Sequence, residues 1–510
     1  MGGNRSRVAA VAALGMGVAL LAACSSSGAS SAKSSGGDKE SAPATSTTIV
    51  HPPGPAATVV KELSGGQGVN MASPAPPEPV LTAAGYEQHE YEVDGNAVTY
   101  TTGTNTADGR WTFTPGESAP YKTRILVRRP TDMSRFSGTV AVEWLNVSSG
   151  LDADPDWQSL HEELTREGDI WVGVSTQLIG INGGPVLVST PASAARGAGK
   201  GLRNIDAERY GSLDLPGDGF SFDIFTQVAR AMRAGGTALG DATPARVLAV
   251  GESQSAIALV TYINGVQPLS LAFDGFFVHS RGANGLPVAA AGQPAGIADS
   301  LAGGGTILRT DTTVPIMDIQ TESDVAGLLK SGVGRQDDSD RFRLWEVAGT
   351  AHADRHLVGE ANADALGCGA INDGPMHVVA KAAFHSFVAW SAGGAPPATA
   401  PRLQLVDGAP ELTQARDSDG IALGGLRTPP VDVPVDVLSG VPTSSTEVLC
   451  ILSGSTTPLP ADVLASRYTN RADYQQRFDA GVDQAIAAGY VLEADRAALL
   501  AYSHPERISP

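Results

Sequence analysis

Ser253 stands at the centre of the stretch Arg246-Val-Leu-Ala-Val-Gly-Glu-Ser-Gln-Ser-Ala256, and its surroundings suit a nucleophile. Val247 to Val250 is a continuous apolar run, the pattern of a strand buried on both faces of a parallel sheet. Gly251-Glu252-Ser253-Gln254-Ser255 follows at once, and Ala256 to Tyr262 then reads as a helix. A Ser held on a sharp strand-to-helix turn needs small neighbours packed around it. Gly251 meets that need; on the far side Ser255 stands where the usual pattern has Gly, a mild departure. Taken alone, the string is equally consistent with an ordinary connection whose Ser caps a helix.

A hydroxyl is a poor nucleophile at neutral pH and needs a base within hydrogen-bond reach, usually a His oriented by a carboxylate. Both follow in the chain. Thr321-Glu322-Ser323-Asp324 comes after the apolar run Val314 to Gln320, and Ala348-Gly-Thr-Ala-His352 comes after Phe342 to Val347. Loops at the carboxyl ends of parallel strands border the crevice of such a sheet. Asp324 is preferred as the acid because it lies further past its strand, with Glu322 as the alternative. His352 is preferred as the base; His356 and His377 replace it if the register differs, while His161 and His385 fall within helical patterns. Asp318, inside a strand run, reads as structural. An acyl-transfer intermediate also needs two N–H donors for its oxyanion. Gln254 supplies one, and the loop after the Trp144 strand, around Asn146 and Val147, supplies the other. Asn146-Val-Ser148 matches a glycosylation sequon too, a match discounted at a strand end. The 28 residues from Asp324 to His352 hold no clustered Cys or His, so no metal and no organic cofactor is implied.

The elements that must position these groups alternate between strand and helix. Strand patterns cover Tyr86 to Thr102 (with a turn signal at Asp94-Gly95), Tyr121 to Arg128, Gly138 to Asn146, Ile170 to Ser175 and Phe273 to His279. Helical spacing appears over Asp156 to Glu167, Phe220 to Gly235, Met376 to Trp390 and, in a turn-rich tail, Ala472 to Ala487. This alternation predicts an α/β class with a mostly parallel sheet. About forty residues from Gln177 to Gly219 show little regular pattern, as functional loops do.

The chain has 510 residues and a formal charge of −19, which disfavours nucleic acid and anionic lipid surfaces as partners. Its start reads as an address. Arg5 and Arg7 precede an apolar run, Val8 to Leu21, that ends in Leu21-Ala-Ala-Cys24. That ending resembles a bacterial lipobox, which implies a signal peptide over 1–23, lipidation of Cys24 and an exported, membrane-tethered protein. Residues 24–75 are rich in Ser, Gly, Ala and Pro and read as a flexible tether, leaving 76–510 as the folded domain. The lipid anchor is then the only membrane contact. Cys368 and Cys450 remain, and an exported context favours a bridge between them over two buried thiols.

The chain resembles the large bacterial α/β-hydrolase-domain proteins of about five hundred residues. The shared segments are Val142-Glu-Trp-Leu-Asn-Val-Ser148, Asp206-Ala-Glu-Arg-Tyr-Gly-Ser-Leu213, Gly251-Glu-Ser-Gln-Ser255, Val278-His-Ser-Arg281 and Thr321-Glu-Ser-Asp324. Gly349-Thr-Ala-His-Ala-Asp354, Cys368 with Asn372-Asp-Gly-Pro375, and Gly424-Gly-Leu-Arg-Thr-Pro429 complete the likeness. The resemblance implies an α/β-hydrolase fold, Ser253 as nucleophile and His352 as base. It also implies that insertions at about 178–219 and 281–313 cover the site as lids. The expected activity is hydrolysis of a small-molecule carboxylic ester through Ser253, His352 and Asp324. An amide or polyester bond would use the same groups, and a non-catalytic ligand-binding lipoprotein would keep only the fold. Neither insertion contains a long apolar helix, so the entrance is expected to be shallow and partly polar, suited to short or medium acyl chains.

Overall fold

The buried apolar runs of the sequence become the parallel half of a nine-stranded sheet. The computed structural model describes residues 50–73, 80–302, 304–443 and 447–510. Its strands are β1 (Thr58–Glu62), β2 (Tyr86–Thr102), β3 (Phe113–Pro130), β4 (Thr139–Trp144), β5 (Ile170–Val174), β6 (Arg246–Glu252), β7 (Gly275–His279), β8 (Ile316–Thr321) and β9 (Phe342–Val347). Their order is β1-β2-β3-β5-β4-β6-β7-β8-β9. β1 to β3 and the β3/β5 pair run antiparallel, and every pair from β5 to β9 is parallel. A parallel sheet needs crossovers on both faces, and the side chains of β6 show both faces covered. Val247 and Ala249 join one apolar cluster with Phe225, Val228 and Met232 of the helix Ser221–Ala234. Leu248 and Val250 join another, with Trp157, Leu160 and Leu164 of Pro155–Glu167 and Val379, Ala383 and Phe387 of Met376–Ser391. Each large side chain so buried contributes roughly 1.5–3 kcal/mol. Among the described residues no helix is long and apolar enough to cross a membrane.

Two expectations change at the amino-terminal side. Asp94-Gly95 is no turn: β2 runs straight through it, with Asp94 opposite Lys122 and Gly95 opposite Tyr121. The glycine is there for close approach, since a Cβ would lie 2.6 Å from Gln227 Oε1 and 2.9 Å from the Tyr121 ring. The tether does not reach residue 75. Thr58–Glu62 pairs with β2 as an edge strand, and Ala57, Leu63 and Met71 are buried. The fully buried Arg124 draws this segment in, donating to Asn70 O at 3.0 Å while pairing with Glu90 and Asp152 at 2.8 and 2.6 Å. β1 has no apolar period, because mostly exposed side chains leave its backbone ladder to hold it. Cys24 and the 1–23 segment lie outside the described residues.

Beyond the helix Met376–Ser391 the chain returns to the carboxyl edge of the sheet. A hairpin pairs Asp436–Ser439 with Ser455–Pro458, and the helix Arg471–Ala487 packs Tyr474, Phe478 and Val482 into a separate apolar cluster. Cys368 and Cys450 form a disulfide across 82 residues of sequence, tying this tail to the segment behind His352. Closing a loop of that length removes chain entropy from the unfolded state, worth roughly 4.5 kcal/mol. Replacing both cysteines by Ser should therefore lower the free energy of unfolding by about 2–5 kcal/mol, read from denaturant midpoints at unchanged slope. Two free thiols in protein exported by its native host would contradict the bridge.

Candidate active site

Ser253 sits between β6 and the helix Gln254–Thr261 with φ +62° and ψ −121°, a conformation a non-glycine residue adopts only under constraint. Its own N–H donates to His279 O at the end of β7 (2.9 Å), and its carbonyl accepts from Ile257 N at 2.9 Å. At Gly251 a Cβ would press at 3.1 Å on both Ser255 and Leu259, so one of the two small neighbours is needed for space. Ser255 is fully buried, and its hydroxyl has no hydrogen-bond partner among the described residues. It serves as a small filler in place of glycine.

Three loops bring the chemistry together. Ser253 Oγ lies 2.8 Å from His352 Nε2, and His352 Nδ1 lies 2.7 Å from Asp324 Oδ1. A carboxylate on Nδ1 fixes the proton there and leaves Nε2 to accept from the serine hydroxyl. Asp324 Oδ2 accepts from Thr321 N at 2.7 Å, and Ser323 Oγ accepts from His352 N at 2.8 Å, so the acid loop holds the histidine loop in place. Burial pushes Asp324 up, but the facing imidazole, its hydrogen bond and that of Thr321 outweigh it and hold the carboxyl below its usual range. Glu322, the alternative acid, points elsewhere. It is taken up by Arg416 and by the N–H groups of Gly349 and Gly440, both at 2.9 Å. His356 and His377 stack on each other at 3.7 Å, with His356 on Gln158 O.

The proposed oxyanion donors divide. Gln254 N–H opens a helix and has no carbonyl four residues back to take it. Asn146 N–H is spent on Ala153 O at 2.9 Å and its side chain on Glu252 O at 3.1 Å, so Asn146 braces the loop rather than donating. Val147 N–H donates to Gln254 Oε1 at 3.2 Å. The Gln254 amide is held in turn by Gln177 Oε1 at 2.8 Å, which also accepts from Trp144 Nε1 at 2.9 Å. These side-chain roles of Gln177 and Gln254 had no sequence signal beyond the polar residue next to Ser253.

Beneath the turn lies a buried acidic group. Glu143 and Glu252 are raised well above the ordinary carboxylate range, first by burial and then by the Asp156 charge beside both. Above it a cavity of about 190 Å³ opens on Ser253 and His352. Leu187 and Val188 from one insertion, Ile297 and Leu301 from the other, and Leu449 and Leu452 beside the disulfide line it. The expectation of a partly polar site is therefore corrected to a mainly apolar lining, with Ser148, Thr190 and Asn362 among its residues. Single apolar residues from distant segments make the wall, which no helical periodicity could announce.

A family model described as an alpha/beta hydrolase domain matches residues 51–501. Among solved structures the chain is similar to a serine hydrolase without lid from Xanthomonas campestris, at 14% identity over 49% of this chain and 83% of that one, TM-score 0.24. It is also similar to fungal esterases from Rhizomucor miehei (12%, 56% and 83%, TM-score 0.24). The esterase domain of a Rhodothermus marinus protein gives 12%, 54% and 94%, TM-score 0.24. The search of curated proteins gave no match.

The hydrogen-bond chain makes a prediction about the two acids. A fluorophosphonate probe should label Ser253 in the folded protein, and Asp324→Asn should slow labelling by about 10⁴-fold, as loss of the correct tautomer does. Glu322→Gln should leave the labelling rate within a few-fold and lower thermal stability, because it breaks the Arg416 and backbone contacts instead.

Proposed function

The chain belongs to the alpha/beta hydrolase domain family, and from that premise we propose that it is a serine hydrolase acting on carboxylic esters. The observation that carries the reading is the run of two short hydrogen bonds, Asp324 to His352 to Ser253, ending at a strained turn that opens on a cavity. Ser253 Oγ attacks the ester carbonyl while His352 Nε2 takes its proton, and Asp324 steadies the imidazolium. The oxyanion is received by Gln254 N–H, with Val147 N–H joining when the Gln254 amide oxygen gives way. His352 returns the proton to the departing alkoxide, leaving an acyl group on Ser253. Water then attacks this acyl-enzyme, losing a proton to His352, and the carboxylic acid leaves as Ser253 is reprotonated.

The apolar lining favours substrates with a hydrocarbon acyl or alcohol part. Burial of each methylene is worth about 0.8 kcal/mol, or roughly fourfold in kcat/KM. The export reading also belongs here. Acylation at Cys24 would hold the enzyme on the outer face of the membrane, and a disulfide fits that compartment. Cys24→Ser should then shift the protein from the membrane fraction to the soluble one, as blotting of both fractions would show.

Activity is tested with p-nitrophenyl esters. Turnover should vanish in Ser253→Ala while the fold is kept. In the wild type, kcat/KM should climb from acetate towards medium chains and fall beyond about eight carbons, where the cavity is full. A profile still rising at palmitate would mean that the cavity continues as a tunnel, and folded wild-type protein that neither labels nor turns over any ester would remove the hydrolase reading.

A further inference from the structure

The acidic group under Ser253 is not used by the acyl-transfer chemistry, and its composition is unusual for a core. Glu252 ends β6, His279 ends β7 beside it, and Asp156 lies in the first turn of the helix Pro155–Glu167. All three are at most 2% exposed. His279 Nδ1 lies 3.0 Å from Asp156 Oδ1 and 3.8 Å from Glu252 Oε2, and one ligand atom from each residue falls within 4.8 Å of the other two.

Two oxygens of this group are orphans. Glu252 Oε2 and Asp156 Oδ2 are buried with no hydrogen-bond partner among the described residues, and neither carboxylate is paired there with Arg or Lys. A buried carboxylate is normally paired or bound to a metal, because desolvation without compensation costs several kcal/mol. Glu143, the fourth member, is different. It accepts from Asp156 N and Trp157 N, both at 3.1 Å, and from Trp171 Nε1 at 2.7 Å, so its oxygens are already satisfied. By holding the Asp156 backbone it plays the part of an outer group that orients a ligand.

We propose that Asp156, Glu252 and His279 form a site for one divalent transition-metal ion, of the Zn²⁺ type, behind the part of the cavity wall that Glu252 contributes beside Ser253. With an ion bound, two carboxylates and a neutral imidazole would carry two negative charges, which a divalent ion cancels. Ligands about 2.0–2.2 Å from a tetrahedral ion stand about 3.4 Å apart, between the 3.0 and 3.8 Å separations seen here. An imidazole in the set favours zinc-like ions over magnesium or calcium, which prefer oxygen alone. Glu252 lines the substrate cavity, so an entry path exists. The ion would clamp β6, β7 and the helix Pro155–Glu167 together directly under the turn that carries Ser253.

The test uses the purified chain after chelator treatment. Adding Zn²⁺ should give about one bound ion per chain by elemental mass spectrometry and raise Tm by several degrees, whereas Mg²⁺ and Ca²⁺ should not. Co²⁺ should give the visible absorption of a four-coordinate site. Glu252→Gln and Asp156→Asn should each abolish both signals. The group of buried Glu163 with exposed Glu167 and His385 is the competing site, nearer the surface, and His385→Ala should leave both signals intact. No Co²⁺ absorption in the wild type, or signals that survive both core variants and vanish with His385→Ala, would overturn the proposal. If a core variant fails to fold, the Co²⁺ spectrum of His385→Ala decides: its retention supports the core site, and its loss overturns the proposal. Ser253 labelling is read separately, so loss of the metal site leaves the hydrolase reading standing.

Discussion

The strained backbone of Ser253 is held by the centre of the sheet, and the site is arranged around it. A φ of +62° at a non-glycine residue costs about 1–3 kcal/mol and persists only where its surroundings leave no alternative. Those surroundings are the whole centre of the sheet. β6 is paired on both sides by parallel neighbours, His279 O takes the Ser253 N–H, and the helix that follows is buried along its length. The strain is thus offset by packing and hydrogen bonds in elements many residues away, and it aims the hydroxyl into the cavity rather than along the helix.

Loops of different origin surround this point. The acid and histidine loops cross-brace each other through His352 N on Ser323 Oγ and Gly349 N on Glu322, and Asn372 donates to Gly349 O at 3.1 Å. The cavity walls are looser in origin. They come from two insertions and from the Val448–Leu452 helix, and the disulfide secures that last wall to the segment after His352. The division suits a site in which the reacting groups must hold position while the walls set what can enter.

Charge is treated in two ways inside the same core. Arg124 and Arg128 are buried with their acids in hydrogen-bonded pairs that bind β3 to the loop before the helix Pro155–Glu167. Under Ser253 the acids outnumber the bases, with His279 the sole basic partner of Asp156 and Glu252 among the described residues. The first arrangement gives each acid an arginine, although Asp152 Oδ1 still has no partner among the described residues; the second leaves oxygens without partners and has no arginine or lysine, beside the strained Ser253.

The parallel strands and their helices are legible in the sequence, because burial on both faces writes continuous apolar runs and helical spacing into the chain. Phe342–Val347 and the helix Met376–Ser391 were legible almost to the residue for that reason. Also legible are the loops that carry Ser253, Asp324 and His352, since each follows directly from a buried strand. The remaining features depend on contacts between distant segments. β1 has no pattern because its side chains are mostly exposed and its ladder is made by backbone groups common to every residue. Gly95 looked like a turn because a glycine needed for close approach to Tyr121 and Gln227 is written with the same letter as one needed for positive φ. The choice between Asp324 and Glu322, the withdrawal of Asn146, the capping of Val147 by Gln254 and the apolar cavity all rest on where side chains meet. Local spacing carries no record of those meetings.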